Sequence, residues 1–175
     1  MDIIKTEVKR NMSPSPVSKK QNGSESHYIL VTSDPYLASS EKLGSAYVLT
    51  KKRMRKALWD IYDRTSFKDK IQSGDRVCFY VAGAKSMQGN IIGYATVADV
   101  TKRIQKTPEH VEYFLATPVK QLKLRDVQEI EPINFREKFF TLKMSEGINT
   151  KKWGAVLMGG VRRLSSEDWK KLGLH

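Results

Sequence analysis

Cysteine and histidine are scarce in this sequence: its 175 residues include one cysteine and three histidines. The single cysteine, Cys78, excludes an internal disulfide and favours a reducing compartment. It lies in the apolar run VCFYV, where a buried and unreactive thiol is the expected state. The HExxH, CxxC and GxSxG spacings of metal sites and serine nucleophiles do not occur either. We therefore predict no metal site, no cofactor and no catalytic residue.

Long hydrophobic runs are missing as well. No apolar stretch approaches the length of a membrane span, and no signal peptide is visible, so we expect a soluble cytoplasmic protein. Acidic residues are few beside basic ones, 19 against 31, which gives a formal net charge of +12. Such an excess implies an anionic partner. Nucleic acid, either RNA or DNA, or a phosphate-bearing ligand fits it better than a membrane surface.

Two regions differ in composition. Residues 1–24 contain prolines, serines and lysines without a sustained hydrophobic period, which predicts a flexible basic tail. Residues 25–175 carry the apolar runs and are expected to form a single domain. The oligomeric state does not follow from the sequence.

Four runs rich in β-branched and aromatic residues predict strands. They are HYILVT from His27, RVCFYVAG, GNIIGYATVADV and EHVEYFLATPVKQL. AYVL fits a further short strand, and WGAVLMGGVRRL fits a strand that ends in a turn. Gly93, inside the third run, predicts a bulge or a close backbone approach.

Helices are expected between these strands. Thr50 offers an N-cap for an amphipathic helix through about Arg64. INFREKFFTLK fits a short helix, and Ser165 is expected to cap a last helix with Asp168 in the capping-box position. Because strands and helices do not alternate regularly, the pattern disfavours a doubly wound parallel sheet. The pattern favours an α+β fold, with a small mixed sheet curled into a barrel and covered by helices.

A cluster of cations follows Thr50. On the predicted helix, the first lysines would lie in the first turn, where positive charge opposes the helix dipole. Free backbone N–H groups at the same end favour an anion, so the cluster is a candidate phosphate site. A solvated basic helix face is the simpler interpretation. The predicted nucleic-acid backbone contacts are Lys51, Lys52, Arg53, Arg55 and Lys56.

The order of motifs resembles the EVE domain, a PUA-like family related to ASCH and YTH domains. YILVTSDP matches a first strand that ends in a polar turn, and LGSAYVLTKKRMRKAL matches an aromatic segment before a basic helix. QSGDRVCFYVAG and GNIIGYATVADV match a GD turn between strands. INFREKFFTLKMSEGINTKKWGAVLMGGVRRLSSEDWKKL is similar to the end of archaeal EVE proteins. The resemblance covers about residues 27–173.

This resemblance implies a pseudo-barrel of five or six mixed strands with surrounding helices. It also implies binding of modified bases, because related YTH domains hold a methylated base in an aromatic cage. Tyr47 falls where the cage has a tryptophan, although AYVLTKK replaces the W-x-G-V-R pattern of bacterial and eukaryotic EVE domains. A tyrosine wall would still stack on a base. The predicted pocket residues are Thr32, Ser33, Asp34, Tyr47, Tyr80 and Trp153.

Our leading hypothesis is a non-enzymatic nucleic-acid-binding module that reads modified bases. An enzyme that modifies or deacylates RNA or nucleotides is an alternative, and it would need Asp34, Asp75 or Glu112 in a pocket. A module that binds a small molecule or a protein, with incidental positive charge, is the third possibility.

Overall fold

A six-stranded mixed sheet forms the centre of the computed structural model, which describes residues 25–38 and 43–175. The strand order is β2-β5-β4-β3-β1-β6. The tail predicted for residues 1–24 lies outside the described residues. The strands are β1 (His27–Thr32), β2 (Leu58–Ile61), β3 (Arg76–Val81), β4 (Asn90–Thr101), β5 (Lys120–Asn134) and β6 (Val161–Leu164). The helices are α1 (Ala46–Lys56), α2 (Pro108–Glu112), α3 (Phe135–Phe139) and α4 (Ser166–Lys171), with 3-10 helices at Lys143–Ser145 and Thr150–Leu157.

The sheet carries a hydrophobic core on each face. β1 and β3 pair in parallel at its centre, and the other neighbours are antiparallel. Because side chains alternate along a strand, Leu30 packs in the core beneath α1, whereas Ile29 and Cys78 pack in the opposite core. Cys78 is fully buried, and burial raises the pKa of its thiol. The prediction of an unreactive thiol is confirmed.

β4 and β5 curl the sheet. Their pairing shifts register at three places, and such bulges increase the local twist. One shift lies at Gly93, where a Cβ would come within 2.5 Å of the Gln128 carbonyl oxygen and of Met54 Cε. The predicted close approach at Gly93 is confirmed. The strands β1, β3 and β4 were all expected from their β-branched and aromatic content.

The first helix differs from the prediction at both ends. Ser45, rather than Thr50, is its N-cap and accepts a hydrogen bond from Val48 N at 3.4 Å. Thr50 is buried within the helix and donates to the Ala46 carbonyl at 2.8 Å. AYVL is therefore the start of α1 and not a strand. The helix ends at Lys56, and Ala57 follows with a φ of 50°.

The chain then enters β2, where the prediction placed more helix. All four of its residues, LWDI, are buried. A helix on a protein surface buries one stripe, whereas a strand between covered faces buries consecutive residues. Leu58 and Ile61, which the periodicity places on the apolar face of a helix, thus lie in a strand that pairs with β5.

Two later predictions also need correction. EHVEYFLATPVKQL begins within helix α2, which starts one residue earlier at Pro108, and β5 begins only at Lys120. WGAVLMGGVRRL begins in a 3-10 helix, and its strand is limited to β6. The short helix in INFREKFFTLK is confirmed as α3, and the Ser165 cap is confirmed by a 3.0 Å bond from Asp168 N.

The architecture confirms the predicted α+β class, with six mixed strands curled into a half-barrel and helices around it. In the part of the chain that the structure describes, no helix combines the length and apolar character needed to cross a membrane.

Candidate functional site

An open cleft of about 340 Å³ lies where β1 ends, a size within the range of ligand sites. The end of β1 forms one wall, α1 forms the floor, and the segment after α2 forms the other wall. We call it the β1-end cleft. Its lining is Val31, Thr32, Ser33, Asp34, Pro35, Tyr36, Leu49, Arg53, Tyr62, Tyr113, Phe114, Leu115 and Ala116.

Asp34 fixes the first wall. Its two carboxylate oxygens accept hydrogen bonds from Ala46 N at 2.8 Å and from Ala84 N at 2.7 Å. The carboxylate thereby joins the turn after β1 to the start of α1 and to the β3–β4 loop. Gly83 is required beside it, because a Cβ at that position would overlap the carboxylate. The GAKS segment therefore serves as a docking loop for Asp34.

Arg53 is the cation of the β1-end cleft. Its guanidinium lies 4.9 Å from the Trp59 ring centroid and within 3.4 Å of the hydroxyls of Thr32 and Tyr62. Among the described residues, no carboxylate forms an ion pair with it. A half-buried guanidinium held by neutral groups keeps its capacity to bind an anion or a base edge.

A buried polar network supports Arg53 from below. Asp60, in β2, accepts a 2.8 Å hydrogen bond from Gln121 Nε2 and lies 3.0 Å from His110 Nε2. The Tyr62 hydroxyl lies 3.5 Å from Asp60 and 3.4 Å from Arg53. Burial raises the pKa of Tyr62 to about 12, so the phenol stays neutral at physiological pH. The network thereby fixes the polar groups beneath Arg53.

Two aromatic side chains stand exposed at the mouth of this cleft. Tyr36 is 66% and Phe114 78% solvent-exposed. Phe114 also has a φ of 48°, a conformation that a bulky residue adopts only at a cost. Both rings are available for stacking. The sequence did not reveal them, because an aromatic residue in a loop follows no hydrophobic period.

Three of the five cations in the predicted basic cluster form ion pairs with carboxylates from other segments. Lys51 pairs with Glu129, Lys52 with Glu112 at 2.7 Å, and Lys56 with Glu109 at 2.5 Å. Because the helix begins at Ala46, the first turn carries none of these cations, and the predicted helix start at Thr50 is wrong. Contact of the five cations with a nucleic-acid backbone stays a prediction. Arg53, Arg55 and Lys56 lie in the last turn, where the helix dipole favours them.

The predicted pocket residues divide between two places. Thr32, Ser33 and Asp34 line the β1-end cleft as expected, but Tyr47 does not, since it is half-buried against the core beneath α1. Tyr80 and Trp153 line a second cleft of about 440 Å³ on the opposite face of β1. We call this the glycine cleft. Its lining is Val31, Ser33, Tyr80, Ala82, Trp153, Gly154, Leu157, Met158, Gly159 and Gly160.

Neither cleft offers a cluster of metal ligands. Within residues 25–38 and 43–175, no group of three or more histidine, cysteine, aspartate or glutamate side chains is placed to hold a metal ion. Both clefts instead combine aromatic rings, backbone groups and hydroxyls. This set of groups suits a planar, hydrogen-bonding ligand.

Comparison with known proteins identifies the fold. No protein-family model matches the chain, and no curated protein matches it in sequence. The ASCH protein of Zymomonas mobilis aligns with a TM-score of 0.52 and 15% identity, over 84% of this chain and 93% of that one. The YTH domain of Zygosaccharomyces rouxii MRB1, solved in complex with N6-methyladenosine RNA, aligns with a TM-score of 0.50 and 10% identity, over 90% and 87% of the two chains. The chain thus has the PUA-like fold that ASCH and YTH domains share, and its membership of the EVE family stays a prediction.

Proposed function

We propose that this chain is a non-enzymatic nucleic-acid-binding module whose β1-end cleft holds one unstacked base. The observation that carries the proposal is the pairing of two exposed rings, Tyr36 and Phe114, with the Arg53 guanidinium in one cleft. A base stacked on an aromatic side chain gains roughly 1–3 kcal/mol. The Arg53 guanidinium can bind a phosphate of the nucleic-acid backbone or donate hydrogen bonds to a base edge.

The polar groups of β1 complete the site. The Thr32 hydroxyl is held near Arg53, and Ser33 is exposed beside it. Asp34 uses both carboxylate oxygens to hold backbone N–H groups, so its role is to fix the turn that carries Ser33. A base inside a duplex must be flipped out before it can enter the cleft, at a cost of a few kcal/mol. Single strands are therefore favoured, and so are modified bases whose pairing is weakened.

The YTH domain mentioned above was solved with N6-methyladenosine RNA. At 10% identity the likeness to that domain extends to the fold alone. The proposal for this chain accordingly rests on its own cleft, and the methylated base is one ligand to test among several.

The carboxylates that an enzyme would require are occupied by structural contacts. Asp75 accepts from Ser26 N at 3.1 Å and from Gln72 N at 2.8 Å, and Glu112 is paired with Lys52. Asp34 holds Ala46 and Ala84. None of the three is left in the position of a general base, which supports binding over catalysis.

The proposal is tested by titrating labelled single-stranded and duplex oligonucleotides, with and without methylated bases, at two salt concentrations. Phe114→Ala should weaken binding of the preferred strand about tenfold, because it removes a stacking surface. Val111→Ala is the matched control, since Val111 is 76% exposed on the neighbouring helix and does not line the cleft. Equal loss in both variants, or no binding at low salt, would overturn the proposal.

Arg53 is tested separately through salt dependence. Arg53→Gln should lower affinity and reduce the slope of log affinity against log salt by about 1, as expected for one lost ionic contact. Arg55→Gln is the control, because Arg55 lies exposed on the same helix outside the cleft. If the two variants behave alike, Arg53 has no special role in the site.

A further inference from the structure

The glycine cleft lies directly across β1 from the β1-end cleft. Val31 and Ser33 line both clefts. Thr32 points toward Arg53, whereas Val31 packs toward Tyr80 and Trp153 in the opposite core. The two clefts therefore meet at Ser33, whose side chain is exposed.

The glycine cleft has the chemistry of a base-binding surface. Trp153 is half-buried and its ring lies 5.7 Å from Phe139, which fixes its orientation. Met158 is 76% exposed at the rim, and a Cβ at Gly154 would meet no atom within 4 Å. An indole, a thioether and open glycine backbone accept a flat aromatic group without demanding one particular base.

Its surroundings are positive. Arg136 lies 5.9 Å from the Trp153 ring centroid, and Lys151 and Lys152 are exposed immediately before that residue. Among the described residues, none of these three cations is in an ion pair. No carboxylate lines the cleft. A polyanion is therefore the complementary occupant, rather than an apolar protein segment.

We infer that the glycine cleft binds the base next to the one held in the β1-end cleft, so that the protein recognises a dinucleotide step bent over Ser33. The inference rests on the proposed function. The phosphate between the two bases would lie at Ser33, in the cleft that Arg53 also lines. Because adjacent bases must point to opposite faces of the sheet, only an unstacked single strand satisfies both clefts.

The test compares the four nucleoside 5′-monophosphates with their four homodinucleotides by titration at low salt. At least one dinucleotide should bind about tenfold or more tightly than its monophosphate. Met158→Glu, which places negative charge at an exposed rim position, should remove this gain and leave the monophosphate affinity unchanged. Gln128→Glu is the control, since Gln128 is exposed, lies in neither cleft and receives the same change in charge.

Trp153→Ala should act like Met158→Glu, and Trp153→Phe should retain most of the gain because it preserves both packing and a stacking ring. Equal affinities for monophosphates and dinucleotides would overturn the inference. If that result came with monophosphate binding that depends on Phe114, the proposed function would survive it. Absence of all nucleotide binding would defeat the proposed function and this inference together.

Discussion

The two walls of the β1-end cleft are held by different forces. The β1 wall is fixed by Asp34, whose carboxylate binds two backbone N–H groups from separate segments. The α2 wall, which carries Phe114, is attached by the side-chain pairs Lys56–Glu109 and Lys52–Glu112 and by a backbone hydrogen bond from Ala38 N to the Glu112 carbonyl. Hydrogen bonds from backbone N–H groups to the Asp34 carboxylate hold the β1 wall rigidly, whereas the Lys52–Glu112 pair is partly exposed and is weakened by salt. The polar groups of the site are therefore placed firmly, and its stacking ring rests on an adjustable support.

The largest effect is expected from breaking the fixed wall. Asp34→Ala leaves the buried Ala46 N–H without its acceptor and removes the link to Ala84, which should lower the free energy of unfolding by about 2–3 kcal/mol. Asp34→Asn should cost less, because it keeps one acceptor oxygen. Urea unfolding measures both. Asp63→Ala is the control, since that carboxylate is 80% exposed and bonds only to the neighbouring Lys68.

Gly83→Ala should be the next most damaging change. The new methyl group would overlap the Asp34 carboxylate, and overpacking of this kind costs about 1–3 kcal/mol. The same substitution at Gly154, where a Cβ meets no atom within 4 Å, should be nearly neutral for stability. If Gly83→Ala were equally neutral in thermal unfolding, the description of Asp34 as a rigid anchor would be wrong.

The adjustable wall should respond to pH. Burial alone would raise the pKa of Glu109, but hydrogen bonds from Lys56 and Thr107 outweigh it and lower the pKa to about 2. The stabilisation is thus complete above the ordinary glutamate pKa and is lost as the pH falls toward 2. Glu109→Gln should cost about 1–2 kcal/mol at pH 7. The difference from the parent protein should shrink steadily below about pH 4.5 in urea unfolding at successive pH values; a constant difference would contradict the assignment.

The smallest effect is expected at the exposed pair. Lys52 and Glu112 are 30% and 48% exposed, and such pairs contribute about 0.2–1 kcal/mol. Lys52→Met should therefore barely change stability, and raising the salt concentration should remove the difference. A loss equal to that of Asp34→Ala would show that both walls are equally rigid.

The sequence predicted those parts of the fold that local chemistry determines. β1, β3 and β4 follow from dense β-branched and aromatic residues, and the Ser165 cap follows from a local motif. The boundary between α1 and β2 did not, because LWDI is buried by β5, a partner more than 50 residues away in the chain. In the same way, Trp59 falls within the helix that the sequence predicts through Arg64, whereas in the structure it lies buried in β2.

The site was predicted only in part. The polar turn at Thr32, Ser33 and Asp34 is where the resemblance places it. The charges of α1 could not be assigned from sequence, because their partners Glu109, Glu112 and Glu129 come from distant segments. Likewise, nothing local distinguishes exposed Phe114 from buried Tyr113; the distinction arises from how the segment after α2 is attached.

The burial of Cys78 gives the molecule its own reporter of unfolding. The thiol lies in a central strand with no solvent exposure, and it is the sole cysteine of the chain. A thiol reagent would reach it only after β3 has separated from its neighbours. When reclosing is fast, the labelling rate reports the free energy of that opening. Ligands that occupy either cleft would slow the labelling in proportion to how strongly they stabilise the folded state.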